Sequence, residues 1–283
     1  MAKIIDGKAI SARIRAEIAA EVASMPVKPG LSVIIVGDDP ASKVYVRNKH
    51  KACGEVGIRS EVIELPASAT QEELDAVIDR LNADESVSGI LCQLPLPKGL
   101  SEDEVIARID PKKDVDAFSA VNVGHIMLGD PVFLPCTPAG VMELLKRSGV
   151  EVKGKNCVVV GRSNIVGKPM AMLLLKADGT VTVCHSKTAD LKAVTSAADI
   201  LVVAIGRAKF ITADMVKEGA AVIDVGMDRD ENGRLCGDVD FDAVSEKAGY
   251  ITPVPGGVGP MTITMLLKNT VAAAKLQAWE KNQ

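Results

Sequence analysis

The sequence predicts an α/β protein of two domains, an N-terminal doubly wound domain and a C-terminal Rossmann-type domain, with a cleft between them. The chain has 283 residues, more than one compact core usually takes. Short apolar runs alternate with helix-like segments through both halves, as in a parallel sheet covered by helices. A turn with two glycines directly follows the first apolar run of the second half.

The composition of the chain argues against several functional classes. A net charge of -4 and an aromatic content of 2% give neither a basic field nor stacking platforms for nucleic acid. An apolar run of the length that spans a membrane is missing, and the first residues lack the pattern of a signal peptide. The six cysteines form no CxxC pair, so we expect them to be small core residues of a reduced, cytoplasmic protein. A metal site is not expected.

The first half predicts a regular alternation of helices and strands. A stripe of apolar residues at positions 10, 14, 18 and 22 indicates an amphipathic first helix. Thr70 and Glu73 form a capping box at the start of a later helix, and Ser101 caps another. The expected elements that follow the first helix are a strand at 31–37, a helix at 41–57, a strand at 58–65, a helix at 70–82 and a strand at 87–94.

A loop-rich stretch at 111–138 is the expected passage between the domains. We therefore expect a first domain at 1–120 and a second at 121–283, with the final helix, about 261–283, packing back on the first domain because its apolar side would otherwise be exposed. Thr137 is the expected N-cap of the next helix. The expected strands of the second domain are 157–161, 180–184, 199–205 and 220–225.

The turn Gly161-x-Ser163-x-x-x-Gly167 predicts a nucleotide site, although it departs from the GxGxxG pattern. It precedes a helix whose N-terminus offers backbone N–H groups to a pyrophosphate. The next strand ends in His185, Ser186 and Lys187, without the acid that binds the ribose hydroxyl of NAD. Arg162 can reach the same region, and its guanidinium matches phosphate oxygens. The residues therefore favour NADP over NAD.

Several polar residues of the first half are candidates for chemistry. Tyr45 and Lys49 lie four apart on one helix face, and Gln93 lies in an otherwise apolar run. Asp114 and Asp116 follow near the domain junction. Each has an ordinary structural explanation as a packing, solvated or turn residue, so spacing alone leaves their function open.

Seven sequence blocks, spread in order over essentially the whole chain, carry a resemblance to a known family. The chain resembles the bifunctional methylenetetrahydrofolate dehydrogenase/cyclohydrolase family in VGDDPASKVYVRNKHKAC, GILCQLPLP, PKKDVD, PCTPAG, VVVGRSNIVGKPM, CHSKT and PVPGGVGPMT. The resemblance implies NADP-dependent oxidation of methylene-tetrahydrofolate to methenyl-tetrahydrofolate, and hydrolysis of that product to formyl-tetrahydrofolate. It also implies a homodimer in the cytoplasm that serves one-carbon metabolism and purine biosynthesis.

The resemblance also assigns roles to residues. It places the essential lysine at Lys49, its glutamine partner at Gln93, a catalytic and substrate-binding tyrosine at Tyr45 and the pterin-anchoring aspartate at Asp116. The folate-lining loop corresponds to Pro255, Gly256, Gly257 and Val258. The expected cofactor-binding residues are Gly161, Arg162, Ser163, Ile165, Gly167, His185, Ser186 and Lys187, with Arg162 and Ser186 at the 2′-phosphate.

Three positions depart from the family pattern. Ala117 replaces the usual glycine after Asp116, Ile205 stands where threonine is common, and Asp228 stands where asparagine is usual. Two other functions remain open at this point. One is an NADP-dependent dehydrogenase for another small substrate, on a two-domain frame like that of shikimate dehydrogenase; the other is a catalytically inactive nucleotide-binding or scaffold protein.

Overall fold

The computed structural model describes residues 1–281, which divide into two compact units. Unit 1 comprises residues 1–12 and 135–262, and unit 2 comprises residues 13–134 and 263–281. The sequence places the division near residue 120. In the structure it falls between Leu134 and Pro135, and the first twelve residues belong to unit 1.

The strands and helices follow one another along the chain as the alternation of apolar runs indicates. The strands are β1 (Lys3–Ile4), β2 (Gly30–Val36), β3 (Arg59–Leu65), β4 (Gly89–Cys92), β5 (Asn156–Val160), β6 (Thr180–Cys184), β7 (Ile200–Val203), β8 (Ala221–Asp224), β9 (Asp228–Arg229), β10 (Leu235–Cys236) and β11 (Tyr250–Ile251). The helices are α1 (Gly7–Ser24), α2 (Pro40–Val56), α3 (Gln71–Ala83), α4 (Glu102–Arg108), α5 (Ala120–Leu128), α6 (Cys136–Arg147), α7 (Gly167–Lys176), α8 (Leu191–Thr195), α9 (Phe241–Ser245) and α10 (Val258–Lys281).

Unit 2 is built on a parallel sheet with the strand order β3-β2-β4. All residues of β2 and β4 are buried, which explains why both read as continuous apolar runs rather than alternating ones. Leu74, Ile78 and Leu81 of α3 pack into the core over this sheet. The capping box expected from the sequence forms at the start of α3, where Thr70 and Glu73 each bond the other's backbone N–H.

The C-terminal part of α10 packs within unit 2. Buried Leu266, Leu267 and Val271 form its apolar side. The buried Asn269 amide donates to the carbonyls of Val115 and Leu134, each at 2.8 Å. These bonds satisfy two loop carbonyls and tie residues 115–134 to the end of the chain.

Unit 1 is built on a six-stranded parallel sheet in the order β1-β11-β8-β7-β5-β6. The chain goes from β5 to its neighbour β6 and then crosses to β7 on the other side of β5, so the topological switch point lies between β5 and β7. Ligands of such sheets bind outside the carboxyl ends of the strands at this point. The fold therefore directs attention to the loops after Val160 and Val203.

Some local expectations are wrong. The stretch expected to be loop-rich contains α5, which Ser119 caps and Gly129 ends in a left-handed conformation. Thr137 does not cap α6, which begins at Cys136 without a side-chain cap; the Thr137 hydroxyl instead bonds the hydroxyl of Thr262 at 2.9 Å. Among the described residues, no helix has the length and apolar character needed to cross a bilayer.

The segment before the expected pterin site is held by a buried lysine. Lys113 Nζ donates to the carbonyls of Leu81, Asn82 and Asp84 at 2.7–2.9 Å, at the end of α3. These carbonyls have no partners within the helix, so the ammonium both caps α3 and fixes the segment that leads to Asp116. Burial lowers the pKa of Lys113.

Replacing this lysine tests how much stability the cap supplies. Lys113→Met keeps the buried stem but removes the donor for three carbonyls, so unfolding should become easier by about 1–3 kcal/mol. The matched control is Lys112→Met, which removes an exposed ion pair with Glu280 and should destabilise the protein less. Urea unfolding of both variants measures the difference, and equal losses would show that Lys113 does not act as a buried cap.

Candidate active site

In the turn after β5, backbone segments pass very close to one another. Gly161 adopts a φ of 134°, and a Cβ there would lie 2.3 Å from the carbonyl oxygen of Ala204. A Cβ on Gly167 would lie 2.3 Å from the carbonyl oxygen of Gly161. Only glycine fits at either position, so the two glycines let the strand–turn–helix backbone fold tightly at the switch point.

Ser163 organises the start of α7. Its hydroxyl accepts from the backbone N–H groups of Val166 at 3.2 Å and Gly167 at 3.3 Å. Within the part of the chain that the structure describes, the backbone N–H groups of Asn164 and Ile165 donate no hydrogen bond. The turn therefore presents unsatisfied donors beside the positive end of a helix, which is a suitable environment for a phosphate.

The residues expected at the 2′-phosphate follow neighbouring strands. Val160 pairs with Cys184 at the ends of β5 and β6, so Arg162 and Ser186 both emerge at the same edge of the sheet. Arg162, Ser186 and Lys187 are exposed. His185 has a local structural contact, because its Nδ1 accepts from the backbone N–H of Lys187 at 3.1 Å. Two cations and a hydroxyl are thus available at this edge for an anionic group.

Lys49 and Gln93 form a hydrogen-bonded pair in unit 2. Lys49 Nζ donates to Gln93 Oε1 at 2.9 Å, and Gln93 Nε2 donates to the carbonyl of Leu94 at 2.7 Å. The Gln93 backbone N–H continues the sheet by donating to Ile34 at 2.8 Å. Gln93 is therefore fixed at both its backbone and its amide, and it holds a half-buried amine at the carboxyl end of β4.

Asp114 and Asp116 differ in their surroundings although they are two residues apart. Asp114 is buried, and its Oδ2 accepts from the Ser119 backbone at 2.8 Å and the Asn122 amide at 2.9 Å, so it stabilises the turn. Asp116 is half-buried and lines a small cavity with Cys92 and Leu94. Burial and then the Asp116 charge raise the pKa of the Cys92 thiol to about 12. Both aspartates line the cavity, but Asp114 is buried and already accepts from Ser119 and Asn122, whereas Asp116 is only half-buried.

Two further features of unit 2 bear on the site. Tyr45 is one helical turn before Lys49 on α2 and is 37% exposed, and burial of the rest of its ring raises its pKa. Ala117 lies in the left-handed region, with a φ of 59°. An alanine there keeps a turn that glycine adopts more easily, at a cost of about 1–2 kcal/mol.

The segment expected to line the folate lies in unit 1 and runs from the loop after β11 to the first residue of α10. It begins with a cis peptide bond before Pro255, and Gly256 has a φ of 111°. The Lys8 backbone N–H donates to the Gly256 carbonyl at 3.1 Å. Gly257 and Val258 are buried, whereas Pro255 is exposed. The loop is therefore anchored on the first turn of α1 through its backbone and presents Pro255 to solvent.

Sequence reasoning missed an acidic cluster that consists of Asp224, Asp228 and Asp238 and lies beside the loop after β7. Asp238 is fully buried and accepts from the backbone N–H groups of Ile205 at 2.8 Å and Arg207 at 2.6 Å. Asp224 in turn accepts from the backbone N–H groups of Asp238 and Val239. The signal that could have revealed it is an aspartate that ends the apolar run of β8.

Comparison with known proteins identifies this arrangement. The model of the tetrahydrofolate dehydrogenase/cyclohydrolase catalytic domain matches residues 5–116, and the model of the NAD(P)-binding domain of the same family matches residues 135–278. The chain belongs to this family. The bifunctional protein FolD of Acetivibrio thermocellus is 61% identical over 280 residues, which cover 98% of each protein.

Solved structures of the tetrahydrofolate dehydrogenase/cyclohydrolase family have the same fold. The bifunctional FolD enzyme from Campylobacter jejuni is 52% identical with a TM-score of 0.95, covering 98% of this chain and 99% of that one. The FolD enzyme from Trypanosoma brucei, complexed with NADP cofactor and inhibitor, is 45% identical with a TM-score of 0.93, covering 98% of both chains. The predicted two-domain α/β class is confirmed, and the chain is a bifunctional dehydrogenase and cyclohydrolase that uses NADP.

The residues of unit 1 fit the cofactor that the family implies. Only glycine fits at positions 161 and 167, because a Cβ there would overlap the carbonyl oxygens of Ala204 and Gly161. Asn164 and Ile165 keep backbone N–H donors for a pyrophosphate, and no carboxylate ends β6 to repel a 2′-phosphate. These observations support the cofactor-binding residues expected from the sequence. We infer that Arg162, with Ser186 and Lys187, holds the 2′-phosphate.

The role of Arg162 predicts a difference between the two nicotinamide cofactors. Arg162→Ala should weaken NADPH binding by about 1.5–3 kcal/mol, roughly 10- to 100-fold, because a charged contact is lost. NADH lacks the phosphate and should bind as before. Fluorescence titration with both cofactors measures this, with Lys192→Ala, an exposed ion-pair lysine of the same unit, as the control. An equal loss for both cofactors would assign Arg162 to the fold or to the shared pyrophosphate.

Proposed function

We propose that Lys49, held by Gln93, is the proton-transfer group of the cyclohydrolase reaction of this enzyme. The observation that carries the proposal is the 2.9 Å hydrogen bond from Lys49 Nζ to Gln93 Oε1. Because Gln93 is uncharged, it fixes the amine without the ion pair that a carboxylate would form. The amine is therefore held in a fixed orientation at the carboxyl end of β4.

The hydrolytic step explains why such a group is needed. Water adds to the cationic methenyl carbon, and the attacking water must lose a proton as the new C–O bond forms. A positioned base contributes about 10²–10⁴-fold to steps of this kind. Lys49 accepts this proton and passes it on as the ring opens to formyl-tetrahydrofolate.

The remaining residues bind and orient the substrate. Asp116, as a carboxylate in its cavity, accepts hydrogen bonds from the amino and ring N–H groups of the pterin. Tyr45, which is 37% exposed, offers its ring and hydroxyl to the flat ring system. Pro255, Gly256, Gly257 and Val258 let the backbone approach the folate closely.

In the oxidative step the protein positions the cofactor and the folate and does not itself react. NADP, when bound, accepts a hydride from the methylene carbon. The glycine turn and Arg162 hold the cofactor by its phosphates, while the folate-binding residues fix the other reactant. Orientation of this type can lower the barrier substantially without any acid or base from the protein.

We propose a homodimer formed through the cofactor unit. β6 is the last strand of the unit 1 sheet, and Val183 on it is 39% exposed. An edge strand with an exposed apolar residue is a natural pairing surface. We also propose a cytoplasmic location, which the six free, buried cysteines support, and a supply of formyl groups to purine biosynthesis.

Lys49→Met tests the proton-transfer role. The variant keeps length and helix propensity but removes the amine, so cyclohydrolase activity should fall by about 10²–10⁴-fold while the dehydrogenase falls less. Methenyl-tetrahydrofolate supplied directly isolates hydrolysis, after subtraction of the nonenzymatic rate. Gln93→Leu should impair the same step because the amine is no longer held.

The matched control is Lys51→Met, which removes an exposed lysine from the same helix. It should hydrolyse methenyl-tetrahydrofolate at the normal rate. A folded Lys49→Met protein with normal hydrolysis would remove the role proposed for Lys49, and equal loss of both activities would assign Lys49 to substrate binding.

The dimer proposal predicts a concentration-dependent mass in sedimentation equilibrium. Val183→Lys places a charge on the edge of β6 and should shift the equilibrium toward a single chain. Val27→Lys, at a position of unit 2 that is 70% exposed, should leave the mass at twice that of the chain. If Val183→Lys sediments like the unchanged protein, the interface lies elsewhere.

A further inference from the structure

The loop after β7 forms one wall of the cofactor turn. The Ala204 backbone N–H donates to the carbonyl of Val160 at 2.8 Å, and the Ala204 carbonyl oxygen would lie 2.3 Å from a Cβ on Gly161. A shift of this loop therefore changes the space available to the glycine turn. What fixes the loop also fixes the cofactor site.

Asp238 is the anchor of this loop, and it is itself rigidly placed. Its two carboxylate oxygens are each engaged, one by the Ile205 N–H and the other by the Arg207 N–H. Its own backbone N–H donates to Asp224 Oδ1 at 3.0 Å. The position of the loop thus depends on the position and charge of one buried carboxyl group.

Asp228 places a second carboxyl group beside that of Asp238. Its side chain lies within hydrogen-bonding reach of the Asp238 carboxyl, and its Oδ1 lies 4.0 Å from the Cβ position of Gly206 in the same loop. Its Oδ2 is buried and has no hydrogen-bond partner among the described residues. Two carboxylates in contact repel each other, whereas a proton on one of them makes a hydrogen bond.

The other charged groups near the pair do not replace that proton. The Cys236 thiol lies in the field of Asp224, Asp228, Asp230 and Lys209, and among these charged groups Lys209 is the cation. Arg207 stacks on the ring of Phe210 at 4.1 Å, and Arg229 donates to the Gly233 carbonyl. The buried Asp228 Oδ2 accepts from none of them.

We propose that Asp228 is a positioning residue for the cofactor, which carries a proton, donates it to Asp238 and so holds residues 204–207 against the glycine turn. The inference goes beyond the roles proposed above, and it rests on NADP binding at the turn. Burial and the Asp238 carboxyl raise the pKa of Asp228. Loss of the proton as pH rises sets two charges against each other and loosens the loop.

The sign of the pH dependence follows from this arrangement. A carboxyl group with a raised pKa keeps its proton below that pKa and loses it as pH rises through it. NADPH affinity should therefore fall as pH rises. Asp224 also titrates nearby, because burial raises its pKa to about 7, and the cofactor phosphate has a second pKa of about 6. A variant that changes Asp228 alone is needed to separate these groups.

Asp228→Asn supplies that variant, because its amide can donate to Asp238 at every pH. NADPH affinity, measured by fluorescence titration from neutral to alkaline pH, should weaken by about three- to tenfold in the unchanged enzyme as the hydrogen bond is lost. The Asp228→Asn variant should lose clearly less affinity across the same range, and the change that remains belongs to Asp224. Asp228→Leu should bind weakly throughout. Arg162→Ala should bind less tightly but retain the original pH dependence.

Parallel pH curves for the unchanged enzyme and Asp228→Asn would overturn the proposal, as would a uniform loss in Asp228→Asn with no change in slope. A purely structural role would lower the unfolding temperature of Asp228→Leu without changing the shape of its binding curve, and this too would overturn it. Titration needs no turnover, so a failure of the Lys49 role leaves the test intact. Absence of NADPH binding to the unchanged enzyme would instead contradict the cofactor site itself.

Discussion

The burial of parallel strands is the constraint on which both candidate sites depend. The interior residues of β2 and β4 in unit 2, and of β5, β7 and β8 in unit 1, are shielded on both faces, so these strands carry almost no polar side chains. Functional polar groups can therefore stand only where a strand ends. Gln93 directly follows β4, the glycine turn follows β5, and Asp224 closes β8.

The same constraint explains which parts of the molecule the sequence predicts well. Buried parallel strands are continuous apolar runs, and the capping box of α3 is local, so neither depends on distant contacts. The expectations that Thr137 caps a helix and that residues 111–138 form a loop were wrong for the opposite reason. The Thr137 hydroxyl is bonded to Thr262, far away in the chain, and the caps of α5 lie inside a stretch whose glycine and proline content is typical of a loop.

Some features of the candidate sites can likewise be predicted from the sequence, and others cannot. The glycine turn and the missing acid after β6 are visible in the sequence, because they depend on residue types at fixed spacing. The distinction between Asp114 and Asp116 is not, since two aspartates in one turn look equivalent until their partners are known. Both aspartates line the same cavity, but Asp114 is buried and accepts from Ser119 and Asn122, whereas Asp116 is half-buried. Family resemblance chose Asp116, whereas spacing could not.

The acidic cluster of unit 1 illustrates a different kind of limit. Nothing local marks Asp228 and Asp238 as neighbours, because the β9–β10 hairpin that joins them has strands of only two residues. A carboxyl pair in a buried position usually destabilises a fold, so its retention beside the cofactor turn calls for a compensating interaction. The backbone N–H groups of Ile205 and Arg207 supply it for Asp238, and the proton that we propose on Asp228 supplies it for Asp228. The position of residues 204–207 and the protonation of the Asp228–Asp238 pair are therefore coupled. The coupling runs through the hydrogen bonds that Asp238 accepts from Ile205, Arg207 and Asp228.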